Sequence, residues 1–135
     1  MTDRELILIA TEAREFAYAP YSNHRVGAAL LGKSGKVYTG CNVENAAYTP
    51  TNCAERTAFF KAVSEGEREF LAIAVVGGIG DKLSPICAPC GVCRQVMAEF
   101  CDKDMRIVMG SADNITVSTL AQLLPHSFGK SDLNK

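Results

Sequence analysis

The sequence predicts an α/β fold in which strands and helices alternate through the middle of the chain. Three observations carry this: a helical periodicity near the N-terminus, short apolar runs bounded by turn residues, and two helical stretches that separate those runs. After Thr2, the residues Leu6, Ile9, Ala10, Ala13, Phe16 and Ala17 fall on one face of a helix that Pro20 stops. Residues 26–31 and 37–41 read as two strands joined by a polar turn at Lys33-Ser34-Gly35. Residues 42–52 lack a clear period and read as a loop. A helix is expected from near Cys53 to just before Gly66, a residue suited to the C′ position. Residues 71–76 form a buried strand, followed by a loop rich in glycine and proline over 77–89. A second helix covers about 90–100, and a strand follows at 106–109. A turn at 111–114 leads to a short strand near 115–117, and a last short helix over 119–124 ends at Pro125. The middle thus reads β-α-β-α-β, which implies parallel strands with crossover helices. Repeats, low-complexity segments and linkers are absent, so residues 1–135 read as a single domain.

Composition narrows the function. Hydrophobic residues make up 47% of the chain and charged residues 21%, enough to build an ordinary globular core. A formal net charge of −1 leaves no electrostatic footprint for nucleic acid or an anionic membrane surface. No apolar run approaches the roughly 20 residues of a membrane span. The opening Met1-Thr2-Asp3-Arg4-Glu5 lacks the basic and then apolar layout of a signal peptide, so a cytoplasmic location is expected. Six cysteines would allow a disulfide framework, but Cys87, Cys90 and Cys93 crowd too closely for easy mutual bridging.

The chemistry concentrates in Cys53-Ala54-Glu55 and Pro89-Cys90-Gly91-Val92-Cys93. Both segments fall where a strand hands over to a helix, the edge of an open α/β sheet where ligands bind. Two helix N-termini bring positive dipole ends to that thiolate-rich edge. Three thiolates can hold one Zn²⁺ per chain and leave a tetrahedral position open for water, the mark of a catalytic rather than a closed site. The pattern is similar to the zinc-deaminase signature in its three-cysteine form. Cys87-x₂-Cys90 is a rival pair, and Cys90 with Cys93 is preferred because Pro89 matches the signature and the helix should continue past Arg94. Cys87 then lies in the loop as a buried apolar residue. A closed structural site would need Cys87 or His24 as fourth ligand, and His24 and His126 lie far away in sequence. Glu55 also sits where it could complete a capping box with Asn52, a position that would itself aim the carboxylate at the metal. Arg56 is expected to donate hydrogen bonds to the sulfurs, restoring electrophilicity that three thiolates remove from Zn²⁺.

With these residues in place, the chain closely resembles the small, single-domain class of the cytidine deaminase family. The resemblance covers nearly the whole chain and rests on Tyr18-Ala19-Pro20-Tyr21-Ser22, Val26-Gly27-Ala28-Ala29-Leu30, Gly40-Cys41-Asn42-Val43-Glu44-Asn45-Ala46-Ala47-Tyr48, Cys53-Ala54-Glu55-Arg56-Thr57-Ala58, Pro89-Cys90-Gly91-Val92-Cys93-Arg94-Gln95 and Leu123-Leu124-Pro125. It implies a three-layer α/β/α sandwich with a mixed five-stranded sheet, and a homotetramer with active sites at subunit contacts. It further implies that Asn42 and Glu44, with Val43 between them, hold the ribose, chiefly at its 3′-hydroxyl. The Cys53-Ala54 backbone would contact the base, Tyr48 and Phe128 would reach across subunit boundaries, and Arg56 would neutralise thiolates. One departure stands out: His24 occupies a position beside the nucleoside where the family usually has phenylalanine. The loop over 77–88, with Cys87, also looks individual to this chain.

The activity so implied is zinc-dependent hydrolytic deamination of cytidine and deoxycytidine to uridine and deoxyuridine, with release of ammonia, a step of pyrimidine salvage. Glu55 would take a proton from the attacking water, give one to N3 of the base, and pass one to the leaving amine. Alternatives are a related aminopyrimidine deaminase of the blasticidin S type or with a modified-cytidine preference, and a non-catalytic zinc-stabilised binding module. The segment over 42–48 favours the free nucleoside, and no basic channel or aromatic platform suggests a polynucleotide.

Overall fold

The computed structural model describes residues 1–133. Helix α1 spans Asp3–Arg14. Thr2 caps it, its hydroxyl accepting from the Glu5 amide at 3.1 Å, and Asp3 and Glu5 put acid in the first turn where the helix dipole favours it. The buried stripe is Leu6, Ile7, Ala10, Ala13 and Arg14. Phe16, expected on that face, is instead 80% exposed. The helix stops before Pro20 can act on it. The amides of Phe16 and Ala17 bond back to Ala13 and Arg14 in tighter turns, which rotates Phe16 off the stripe.

Strands β1 (His24–Gly32), β2 (Val37–Cys41), β3 (Phe70–Ile79), β4 (Arg106–Ser111) and β5 (Asn114–Thr119) form one sheet in the order β2-β1-β3-β4-β5. Helix α2 (Ala54–Ser64) joins β2 to β3, α3 (Gly91–Phe100) joins β3 to β4, and α4 (Leu120–Leu123) follows β5. A further short helix, α5 (Lys130–Leu133), carries no clear sequence signal. β1 is antiparallel to both β2 and β3, β3 is parallel to β4, and β4 is antiparallel to β5. β2, β3 and β4 therefore run the same way, as the β-α-β-α-β pattern requires. What periodicity did not reveal is that β1 inserts between β2 and β3, which makes the sheet mixed.

Both central strands outrun their apolar segments. His24 and Arg25 pair with Ile79 and Gly78, so main-chain hydrogen bonding extends β1 and β3 beyond the expected 26–31 and 71–76. Thr119 is the N-cap of α4, with a capping box to Gln122, so that helix begins one residue later than expected.

Alternate residues of the central strands feed two cores. Ala29, Ala72, Ala74, Val76 and Val108 face α1. Ala28, Leu30, Ile73, Val75, Ile107 and Met109 pack with Phe59 of α2 and Met97 of α3 on the other face. Phe59 is fully buried and meets Phe70 edge-on at 5.1 Å. The result is helix, mixed five-stranded sheet, helix. Gly40 of β2 sets how closely α2 approaches: a Cβ there would lie 2.3 Å from the Ala54 carbonyl oxygen and 2.7 Å from the Ala58 amide. Glycine thus lets the first turn of α2, and with it the candidate site, press directly on the sheet. Among the described residues, no helix is long and apolar enough to cross a membrane.

Candidate active site

Two helix starts build the site, at the carboxyl ends of β2 and β3. Cys53 is the N-cap of α2 and Cys90 the N-cap of α3, and neither side chain caps its own helix. Both thiols instead meet in the gap between the helix N-termini, where Cys93 of the first turn of α3 joins them. Cys53 Sγ lies 3.6 Å from Cys90 Sγ, and Cys90 Sγ lies 3.5 Å from Cys93 Sγ. All three sulfurs fall within 4.8 Å of one another. A tetrahedral Zn²⁺ with bonds of about 2.3 Å has S···S edges of about 3.8 Å, so this donor set has the spacing zinc requires. Cys87 is not part of the cluster, and neither histidine joins it.

The electrostatics fit a cation held by thiolates. Without metal, the Cys53 thiol is pulled down to about 5, first by the hydrogen bond from Cys93 and further by Arg56, against the opposing effect of burial. Cys93 is pushed up, as the partner that keeps the proton and as a buried group. Arg56 donates from Nη2 to Cys53 Sγ at 3.3 Å. Its Nε is buried without a hydrogen-bond partner among the described residues. A guanidinium committed to sulfur in this way suits a site whose thiolates overbalance the charge of Zn²⁺.

Glu55 is 4% exposed, and burial pushes its carboxyl up to about 7, with the Cys53 thiolate adding to the rise. The capping box expected from Asn52 does not form. Cys53 takes the N-cap position, and the Asn52 amide bonds Thr57 Oγ1 at 3.1 Å. The Glu55 carboxylate is therefore not committed to a helix cap.

A cavity of about 230 Å³ opens onto the cluster, lined by His24, Val26, Asn42, Thr51, Asn52, Cys53, Ala54, Glu55, Cys87, Ala88 and Cys90. A second of about 390 Å³, formed by Tyr21, Ser22, Glu44, Asn45, Tyr48 and Thr51, adjoins it at Thr51. A larger hollow of about 450 Å³ at the far end of α3 contains none of the three clustered thiols.

The structure thus gathers His24, Asn42, Cys53, Ala54, Glu55 and Cys90 around one space, with Glu44 and Tyr48 beside it. Asn42 is 9% exposed, accepting from the Val26 amide at 2.9 Å and donating to the His24 carbonyl at 2.7 Å. Glu44 accepts from the amides of Tyr21 and Ser22 at 3.0 and 3.2 Å and from Ser22 Oγ at 2.5 Å. The Ser22 hydroxyl and these amides hold its carboxyl below the usual range. Val43 is exposed, bridging by its backbone to Tyr18 and Asn52. Tyr48 is 75% exposed at a positive φ of 61°. Phe128 does not line the cavity: it is exposed, and its carbonyl accepts from Gln95 Nε2 at 2.9 Å.

Two residues, one lining the cavity and one buried on α1, were not assigned a part from the sequence. Cys87, expected only as a buried loop residue, lines the cavity. Burial pushes its thiol up to about 11, with Glu55 adding to the rise and Arg14 opposing it. Arg14 is the second, a buried arginine on α1. Its position one turn after Ala10 on the apolar face was the available signal.

Comparison with known proteins agrees with this geometry. The family model for the cytidine and deoxycytidylate deaminase zinc-binding region matches residues 1–110. A cytidine deaminase of Sporosarcina psychrophila is 53% identical over 135 residues, covering 99% of this chain and 96% of the relative. One from Halalkalibacterium halodurans is 52% identical over 134 residues, covering 98% of each. The crystal structure of cytidine deaminase from Burkholderia pseudomallei superposes with a TM-score of 0.87 at 50% identity, over 95% of this chain and 100% of that one. The three-thiol site, the mixed sheet that carries it and these similarities together make the chain a member of the cytidine and deoxycytidylate deaminase family of enzymes.

Proposed function

We propose that this protein is a zinc-dependent hydrolase that converts cytidine and deoxycytidine to uridine and deoxyuridine with release of ammonia. The observation that carries the proposal is a buried Glu55 beside three thiols, at the wall of a cavity sized for a base. Cys53, Cys90 and Cys93 would hold the metal, which when bound supplies Lewis acidity toward water.

Glu55 is placed to hold and move the protons. Burial raises its carboxyl toward neutrality in the metal-free protein, the direction a group needs in order both to accept and to donate a proton. Glu55 takes a proton from the attacking water and delivers it to N3 of the ring, then takes the remaining proton from the new C4 hydroxyl and passes it to the amine as the C4–N bond breaks. Arg56 keeps charge on Cys53 in check. The first turn of α2, which the Cys53 side chain does not cap, would offer its backbone to the base beside Ala54. His24 lines the same cavity, where its imidazole would stand in for a phenyl ring.

Glu44 and Asn42 would receive the ribose. Three hydrogen bonds to Glu44 and two to Asn42 fix both groups in advance while leaving each a further site for a sugar hydroxyl. Such a site takes free nucleosides, the chemistry of pyrimidine salvage.

Exposed aromatic side chains, among them Phe16, Tyr18, Tyr48 and Phe128, support assembly into a homotetramer with shared sites. Loss of cytidine absorbance, followed with and without a zinc chelator, tests the activity. No absorbance change in the zinc-loaded protein would leave it a zinc-stabilised binding module. Light scattering tests the tetramer.

A further inference from the structure

We propose that Arg14 is a positioning residue that locks the substrate cavity from behind, setting its affinity for the pyrimidine base. This rests on the proposal that the cavity takes that base. Arg14 is 4% exposed. Its Nε donates to the Arg25 carbonyl at 2.8 Å, and its Nη2 to the carbonyls of Gly78 at 2.9 Å, of Gly80, and of Lys82 at 3.4 Å. Every partner is a main-chain oxygen. Among the described residues, no carboxylate forms an ion pair with it. A buried cation without an acid is costly unless fixed dipoles replace its water. Here the start of β1, the end of β3 and the loop beyond supply those dipoles together.

The segments it ties lead directly into two stretches of chain that line the cavity. On one side, Arg25 lies between His24 and Val26, both of which line it. On the other, the chain leaving β3 folds back on itself. The Ser84 amide donates to the Gly77 carbonyl at 2.7 Å, Lys82 to Ile79 at 3.1 Å, and Gly80 to Asn23 at 3.0 Å. Gly78 permits the fold-back, since a Cβ there would lie 1.9 Å from the Lys82 oxygen. From this turn the chain runs on to Cys87 and Ala88, which line the cavity, and then to Cys90. The planar guanidinium spans acceptors on three segments at once, which a lysine ammonium cannot match.

The test uses full-length, zinc-loaded Arg14→Met and Arg14→Lys, studied well below their unfolding temperatures. Zinc content should stay near one per chain. KM for cytidine and Kd for uridine should rise about 10- to 100-fold in Arg14→Met, with kcat changing much less, because wall placement governs binding. Arg14→Lys should recover part of the loss. Amide exchange over residues 80–88 should quicken in both variants. If folded, zinc-loaded Arg14→Met keeps wild-type KM, Kd and exchange, Arg14 is merely structural and the proposal falls. If Arg14→Met does not fold, the same measurements on Arg14→Lys decide, and wild-type values overturn the proposal. Wild-type protein inert toward cytidine would defeat the functional assignment alone. Exchange over 80–88 would then still judge the role of Arg14 as a clamp.

Discussion

Glu55→Gln separates proton transfer from shape, because the amide keeps the size of the side chain and cannot ionise. In the metal-free protein the carboxyl sits near 7 against an ordinary 4.5. At about 1.36 kcal/mol per pH unit, that gap comes to about 3 kcal/mol. The sign follows from which state holds the proton. Below pH 4.5 both states are protonated and the stability due to Glu55 is fully present. As pH rises from 4.5 through 7 the unfolded chain releases its proton first, so stability is lost. Glutamine suffers no such loss. Chelator-treated Glu55→Gln should therefore match wild type near pH 4 and exceed it by about 3 kcal/mol at pH 8. Cys53, lowered to about 5, titrates with the opposite slope in both proteins, and its thiolate is part of the rise at Glu55, so the difference curve reports burial and this repulsion together. Urea denaturation across this range, under reducing conditions, measures the difference curve. With zinc restored, turnover of cytidine should fall by roughly 10²–10⁴ or more while zinc stays bound. A flat difference curve refutes the burial account of the Glu55 carboxyl. Turnover within threefold of wild type refutes its part in the chemistry.

The remaining predictions address the metal, its charge balance and the sugar. Alanine at Cys53, Cys90 or Cys93 should leave the protein zinc-poor and inactive, whereas Cys87→Ala should keep one zinc per chain; metal analysis showing the reverse for Cys87 and Cys93 would overturn the ligand assignment. Arg56→Gln should cost about 10- to 100-fold in kcat/KM with a smaller loss of zinc, since Arg56 bonds a sulfur without being a ligand. Unchanged kinetics would reduce its contact with Cys53 to a structural one. Cytidine and deoxycytidine should both react, while 3′-deoxycytidine should lose about 10- to 100-fold in kcat/KM because Glu44 and Asn42 would be left facing an absent hydroxyl. A preference for cytidine monophosphate would contradict a pocket already bordered by Glu44, Glu55 and three thiols.

The sequence alone determined the main elements, α5 excepted, and the three-cysteine cluster that could hold a metal. Spacing on a helix is local, so Pro89-Cys90-Gly91-Val92-Cys93 had to present two thiols from one helix start, and Cys53 and Glu55 had to travel together. The direction of β2, β3 and β4 was legible for the same reason, since each helix must return the chain to the same edge. Tertiary structure decided what depends on residues distant along the chain. The insertion of β1 between β2 and β3 is set by main-chain pairing, and pairing partners leave no mark in local periodicity. That insertion brings His24 and Val26 to the cavity that Cys53, Cys87 and Cys90 also line, which is why the Cys87 wall could not be read from spacing. The exposure of Phe16 followed from where a backbone turn tightened, one residue class at a time indistinguishable from helix in the pattern. The N-cap was settled in the same way. Asn52 is the better capping residue by type, but its amide found Thr57 and the helix began on Cys53, freeing both the thiol and Glu55 for the cavity.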